Sequence, residues 1–193
     1  MAPLIVHGLG LWGTGLPNPE AWRRRAFEPT SSRPAAELVP SRQRRRLSEL
    51  SRGLITAFEQ AALQAGTEPA GVPTVFGSAY GESATLLTLL QQRHCDDGDL
   101  SPLSFAASVH NTASGALSIA TGATGFTTSI AAGRQTLAMC LLEAAGLLAE
   151  GHAQVAVVVG DCRPPAALVP DESAFDTLAV ALILGGQDAG PGL

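Results

Sequence analysis

Residues 127–160, TTSIAAGRQTLAMCLLEAAGLLAEGHAQVAVVVG, contain the pattern that decides the fold. Thr127-Thr128-Ser129-Ile130 reads as a short strand, Ala131-Ala132-Gly133 as a tight turn, residues 135–150 as a helix and residues 155–159 as a second strand. The helix is apolar on nearly every side, because Leu137, Met139, Leu141, Leu142, Ala145, Leu147 and Leu148 span more than one stripe. Such a helix is expected to be buried on several sides. Val155-Ala156-Val157-Val158-Val159 has no polar residue, the mark of a parallel strand covered on both faces. Gly133 and Arg134 stand at the N-terminus of this central helix, and what they face decides the chemistry.

Upstream, residues 3–12 read as a first strand and residues 17–40, with five of the 13 prolines, as an irregular segment holding a helical turn near residues 20–25. The spacing predicts one long helix over 41–64. Ser41 is its N-cap, Gly66 lies just past its end, and Leu47, Leu50, Leu54, Phe58, Ala61 and Ala62 form an apolar stripe. Residues 72–77 predict a strand, 82–93 a helix, 94–100 a solvated loop, 101–108 an extended segment and 111–121 a small-residue helix. Beyond the central unit, residues 164–176 read as a loop, 177–185 as an apolar strand and 187–193 as a flexible tail. The order predicts one α/β domain over residues 1–186, a mixed and mostly parallel sheet with a buried central helix and covering helices.

Hydrophobic content is 46% and charged content 15%, well below the quarter or so typical of soluble domains, which points to a large permanent interface. The net charge of −5 gives no electrostatic reason for nucleic-acid binding, and the run Arg42-Gln43-Arg44-Arg45-Arg46 reads as a solvated helix face. Cys95, Cys140 and Cys162 have no metal-ligand spacing, and a reduced, cytoplasmic protein without metal or cofactor is expected. No run is apolar for long enough to predict a membrane span.

Two motif-like stretches carry little. Gly8, Gly10 and Gly13 have the spacing of a dinucleotide fingerprint, but no helix starts promptly after them to receive a phosphate. His94-Cys95-Asp96-Asp97 lacks a second cluster to complete a tetrahedral site. His110, next to Asn111 at a helix start, is open to a hydrogen-bonding or a catalytic role.

Ser101-Pro102, Asn111 with Gly115, Gly122 with Gly125, and Ser129-Ile130-Ala131 before the apolar helix make a connected signature. Phe76-Gly77-Ser78-Ala79-Tyr80-Gly81 extends it upstream. Together they resemble the N-terminal half of β-ketoacyl synthases of the thiolase-like fold. The resemblance implies a thiolase-like half-fold, and it places the family's nucleophilic cysteine at Arg134. Cys140 lies too far inside the helix to replace it, and Cys162 follows the next strand. The family's two catalytic histidines come from a C-terminal half that has no counterpart in this sequence.

By this resemblance no catalytic residue is assigned. The chain looks like the silent, chain-length-factor-like subunits of fatty-acid, polyketide or aryl polyene biosynthesis. Its partner would be a full-length β-ketoacyl synthase in a heterodimer, with acyl carrier protein met through the complex. The residues implied at the interface and acyl tunnel are Tyr80, Leu103, Ser104, Phe105, Phe126, Thr127, Thr128, Ser129 and Ile130. A stand-alone carrier-protein-binding module, an acyl-transfer enzyme with another nucleophile and a remnant without function stay open. A cation at a helix N-terminus opposes the macrodipole, so Arg134 should meet an anion. Asp161, Asp171, Glu172 or Asp176 is the expected structural partner, with a substrate or partner anion as the alternative.

Overall fold

The computed structural model describes residues 4–27, 33–95, 99–169 and 175–186. Its strands are β1 (Ile5–Gly13), β2 (Thr74–Gly77), β3 (Thr127–Ile130), β4 (Gln154–Asp161) and β5 (Leu178–Gly185). Its helices are α1 (Pro19–Arg23), α2 (Ser41–Arg44), α3 (Glu49–Ala65), α4 (Ser83–His94), α5 (Pro102–Ala106), α6 (Thr112–Thr121) and α7 (Thr136–Ala149), the last preceded by a single 3-10 turn, Gly133–Gln135. The five strands form one sheet in the order β1-β5-β4-β2-β3. The sheet is mixed, as expected, but parallel pairing does not dominate. β4 and β3 run parallel to β2, whereas β5 is antiparallel to both β4 and β1.

The two faces of the sheet make two cores. On one face Ala156, Val158, Ala179, Ala181 and Ile183 pack under α3, which buries Leu50, Leu54, Ile55, Phe58, Ala61 and Ala62. On the other, Val75, Val155, Val157 and Leu184 pack with Cys140, Ala144 and Leu147 of α7. The stripe anticipated on α3 is the one observed, and Gly66 ends the helix in the left-handed conformation. The predicted long helix is divided, however. The backbone at Ser48 is extended and its hydroxyl caps the Ser51 N–H, so α3 starts afresh there, separate from α2. The seam between α3 and β1 is unusually close, since a Cβ on Gly10 would overlap the Ala57 carbonyl and one on Gly8 the Ala61 carbonyl. That contact, and not phosphate binding, accounts for these two glycines.

Two further expectations are corrected. Residues 101–108 are not extended, because Ser101 caps the Ser104 N–H and Pro102 occupies the first turn of α5. The central helix α7 is buried on one side only. Thr136, Cys140, Ala144 and Leu147 face the sheet, but Leu137, Met139 and Leu142 are 50%, 38% and 66% exposed. Its apolar outer side has no cover among the described residues. Among the described residues the helix buried most deeply is α3. The tail 187–193 lies outside the described residues, as do residues 96–98 of the loop after α4 and 170–174 of the loop before β5. Among the described residues no helix is long and apolar enough to cross a membrane.

Candidate functional site

The carboxyl ends of β2, β3 and β4, running parallel, lie together at one end of the sheet, the usual place for a site in such sheets. Asp161 closes β4 and organises the loop after β2. Its carboxylate accepts from the Ser78 hydroxyl (2.6 Å), the Tyr80 N–H (2.9 Å) and the Ala79 N–H (3.1 Å). The Ser78 hydroxyl in turn accepts from the Gly81 N–H at 2.7 Å, and the Ser78 N–H donates to the Ile130 carbonyl at the end of β3 (3.2 Å). The Asp161 carboxylate thus ties the end of β4 to the loop after β2, and the Ser78 backbone ties that loop to the end of β3. Glu82 next to this loop is buried, and one of its oxygens accepts from Ser48 (2.7 Å) and Ser51 (2.6 Å). Its charge lies at the first turn of α3, where the helix dipole favours an anion.

The start of α7 is built by Thr136, whose hydroxyl donates to the Gly133 carbonyl (2.7 Å) and accepts from the Ala132 N–H (3.0 Å). Gly77 lets α7 approach β2, since a Cβ there would stand 2.5 Å from the Cys140 sulfur. Arg134 sits in the turn before α7 and is exposed. The expected structural pair is not formed with Asp161, which is engaged by the Ser78 loop, nor with Asp176, which is exposed. Asp171 and Glu172 lie outside the described residues. Arg23 and Arg24 pair with Glu20, whereas among the described residues Arg134 makes no such pair.

No thiol stands at the head of α7. Cys140 is fully buried one turn inside the helix, and burial, with the Glu143 charge second, pushes it up to about 11. Cys162 is pushed up to about 11 by burial and by the carboxylates of Glu82, Asp161 and Glu49. A thiol held so high is protonated at neutral pH and is a poor nucleophile. Cys95 is exposed at the far end of α4. The head of α7 thus presents the exposed Arg134 guanidinium, a donor-only group suited to meeting an anion.

Most of the residues expected at an interface and tunnel fall into two surface groups. Phe126, Thr127, Thr128, Ser129 and Ile130 lie on or beside β3, which among the described residues is a sheet edge paired with β2 alone. Leu103, Ser104 and Phe105 lie on α5 against α4, with Leu103 and Phe105 more than half exposed. The α6 hydroxyl of Ser114 meets Ser129 at 3.1 Å, which connects β3 to the helix following α5. Tyr80 is 38% exposed and stacks on Phe175, their rings 6.2 Å apart. His110 is exposed beside Gly81. The run after residue 42 is part of the scaffold, since Arg44 donates to the Ala35 and Ala36 carbonyls. The sequence alone did not single out Glu82 or the Ser48 and Ser51 hydroxyls. The available signal was an acidic residue placed directly after the Gly-Ser-x-x-Gly loop.

A family model described as the N-terminal domain of β-ketoacyl synthases matches residues 20–191, most of the chain. The chain belongs to the β-ketoacyl synthase family. Among solved structures it is similar to a ketosynthase (ApeO) in complex with its chain length factor (ApeC) from Xenorhabdus doucetiae. That match has 24% identity and a TM-score of 0.79, and it covers 96% of this chain and 79% of the other. It is also similar to the ishigamide ketosynthase/chain length factor (14% identity, TM-score 0.78, 98% of this chain and 63% of the other). A β-ketoacyl synthase from Burkholderia phymatum matches at 15% identity and a TM-score of 0.69, over 97% of this chain and 60% of the other. At these identities the likeness establishes the thiolase-like fold, and the chain spans under two thirds of the last two proteins. No curated protein matched the chain.

Proposed function

We propose that this member of the β-ketoacyl synthase family is a non-catalytic, chain-length-factor-like subunit. It pairs with a full-length synthase, lines part of that partner's acyl tunnel and meets acyl carrier protein through the complex, in polyketide, aryl polyene or fatty-acid synthesis. The observation that carries this reading is the head of α7, where the family resemblance calls for the acyl-bearing thiol and the chain has an exposed arginine. The free edge of β3 supports pairing with another sheet, and chain length factors among the fold relatives support the role. The test is co-purification with a full-length synthase from the same genome, which should give a stable complex near one-to-one on size exclusion. A chain that ignores the synthase would overturn the reading.

Arg134→Cys is expected to yield no condensing activity from the chain alone. The new thiol would have a helix N-terminus but no histidine partners for decarboxylation of the extender. Condensation by the isolated mutant, followed by mass spectrometry of carrier-bound product, would refute this.

Ser104→Phe is expected to shorten the products of the reconstituted pair while its first acylation rate stays intact. Ser104 is half-buried between the exposed Leu103 and Phe105, so an added ring would occupy volume lent to the partner's tunnel, far from its nucleophile. An unchanged length distribution from an assembled complex would remove α5 from the tunnel.

A further inference from the structure

Among the described residues the sheet has two margins, β3 and β1, and they are finished differently. β1 runs for nine residues, IVHGLGLWG, without a proline, lysine, arginine, aspartate or glutamate. Those residues usually keep an edge strand from recruiting another, and a long edge lacking them is a template for pairing. Its backbone is nonetheless occupied. Alternate residues of an antiparallel strand turn their N–H groups away from the partner strand. On β1 these include Leu9, Leu11 and Gly13. Their N–H groups donate to the Gln64 side-chain oxygen (2.8 Å), the Gln60 side-chain oxygen (3.0 Å) and the Leu16 carbonyl (2.8 Å). The irregular step between Val6 and Gly8 interrupts the register just before them.

The helix seam places the two glutamines. Ala57 and Ala61 meet Gly10 and Gly8 backbone to backbone, and Ala65 continues the same strip of α3. Gln60 and Gln64 precede Ala61 and Ala65 by one position each, which turns both to one flank of the contact. Four residues along a helix advance about 6 Å, and two along a strand about 6.7 Å. Glutamines at i and i+4 therefore reach two alternate N–H groups in opposite chain directions, 60 to 11 and 64 to 9. A side chain at position 8 or 10 would lift α3 and carry both amides out of reach. Gln60 is held at its other end as well, since its amide N–H donates to the Pro17 carbonyl at 2.8 Å. That bond leaves its oxygen as the group facing Leu11.

We propose that Gln60 and Gln64 form a lock on the β1 edge. They occupy the donors that the β1 of a second copy of this chain would otherwise take, and so confine strand-to-strand assembly to β3. A second copy is the occupant excluded, because two identical uncharged strands meet antiparallel about a two-fold axis with no like charges opposed. The lock lies on the margin away from β3 and is independent of synthase pairing.

The test compares the full chain carrying Gln60→Ala/Gln64→Ala with wild type, by light scattering over a range of concentration and by hydrogen exchange. The alanine variant should self-associate at least about tenfold more tightly than wild type. In dilute solution its Leu9 and Leu11 amides should exchange at least about tenfold faster than in wild type. On concentration they should slow again, while the amides of α3 and β5 stay protected throughout. Gln60→Glu/Gln64→Glu, whose oxygens accept from the same N–H groups, should associate no more than wild type. Gln64→Ala alone, at the exposed end of the ladder, gives the same readings with less threat to the fold. A folded alanine variant that associates no more tightly than wild type, or that associates without slowing at Leu9 and Leu11, would overturn the proposal. So would a glutamate variant that associates as the alanine one does. Synthase binding enters none of these readings, and its failure would count against the β3 pairing alone.

Discussion

A Thr127→Pro/Ser129→Pro chain is expected to lose at least about 100-fold in affinity for the synthase while remaining folded. The inner side of β3 is identified by the Thr74 N–H donating to the Phe126 carbonyl and the Ser78 N–H to the Ile130 carbonyl. In a parallel ladder, alternate residues face the neighbouring strand, so 126, 128 and 130 turn toward β2 while Thr127 and Ser129 turn their backbone groups outward. Proline is tolerated at an edge when its missing N–H pointed to solvent. Across an interface the same change leaves two buried carbonyls of the partner strand unpaired, at about 1–3 kcal/mol each. The internal cost is the Thr127 hydroxyl bond to Thr74 (2.8 Å) and the Ser129 contact with Ser114. Titration calorimetry of wild type and variant against the synthase reads the loss, and thermal unfolding of the chain alone is the control. Unaltered affinity would move the interface away from β3.

Gly10→Val should abolish cooperative folding. No rotamer relieves the overlap, because the obstacle is the backbone carbonyl of Ala57 and not the end of a flexible side chain. α3 would have to lift from β1, taking Phe58 and Ile55 out of the larger core. It would also separate Gln60 and Gln64 from the edge strand, whose Leu11 and Leu9 N–H groups donate to their side-chain oxygens at 3.0 and 2.8 Å. A loss above about 4 kcal/mol is expected from overpacking and severed bonds together. Gly115→Ala is the control, since nothing stands near a Cβ there and a mid-helix alanine should add about 0.5–1 kcal/mol. Chemical denaturation measures both. A Gly10→Val chain with an unshifted midpoint would show that the seam is not a constraint.

What the sequence revealed and what it hid divide along the distance between interacting residues. The strand, turn, helix and strand of residues 127–160 and the stripe on α3 were legible because periodicity is local. Gly66 was legible because a left-handed helix end has few other candidates. The short helix α5 was missed although Ser101 and Pro102 are a cap and a first-turn proline, because five residues give no periodicity to count. Asp161 is one of four carboxylates that the sequence offers to Arg134, and its observed partners on the Ser78 loop are more than 80 positions away. Burial of α7 was overestimated for a physical reason. An apolar face states that something covers it, but not whether the cover comes from the same chain.

The close seam between β1 and α3 also has a meaning for how such a chain can diverge. Backbone touches backbone at Gly8 and Gly10, so this side of the molecule admits almost no drift in side-chain volume. The far side of α7 and the free edge of β3 carry no such restriction from their own fold. Substitutions are therefore channelled outward. A lineage can exchange its companions many times while its α3 and β1 stay as they are, and the scaffold's rigidity is what leaves its social surfaces free to change.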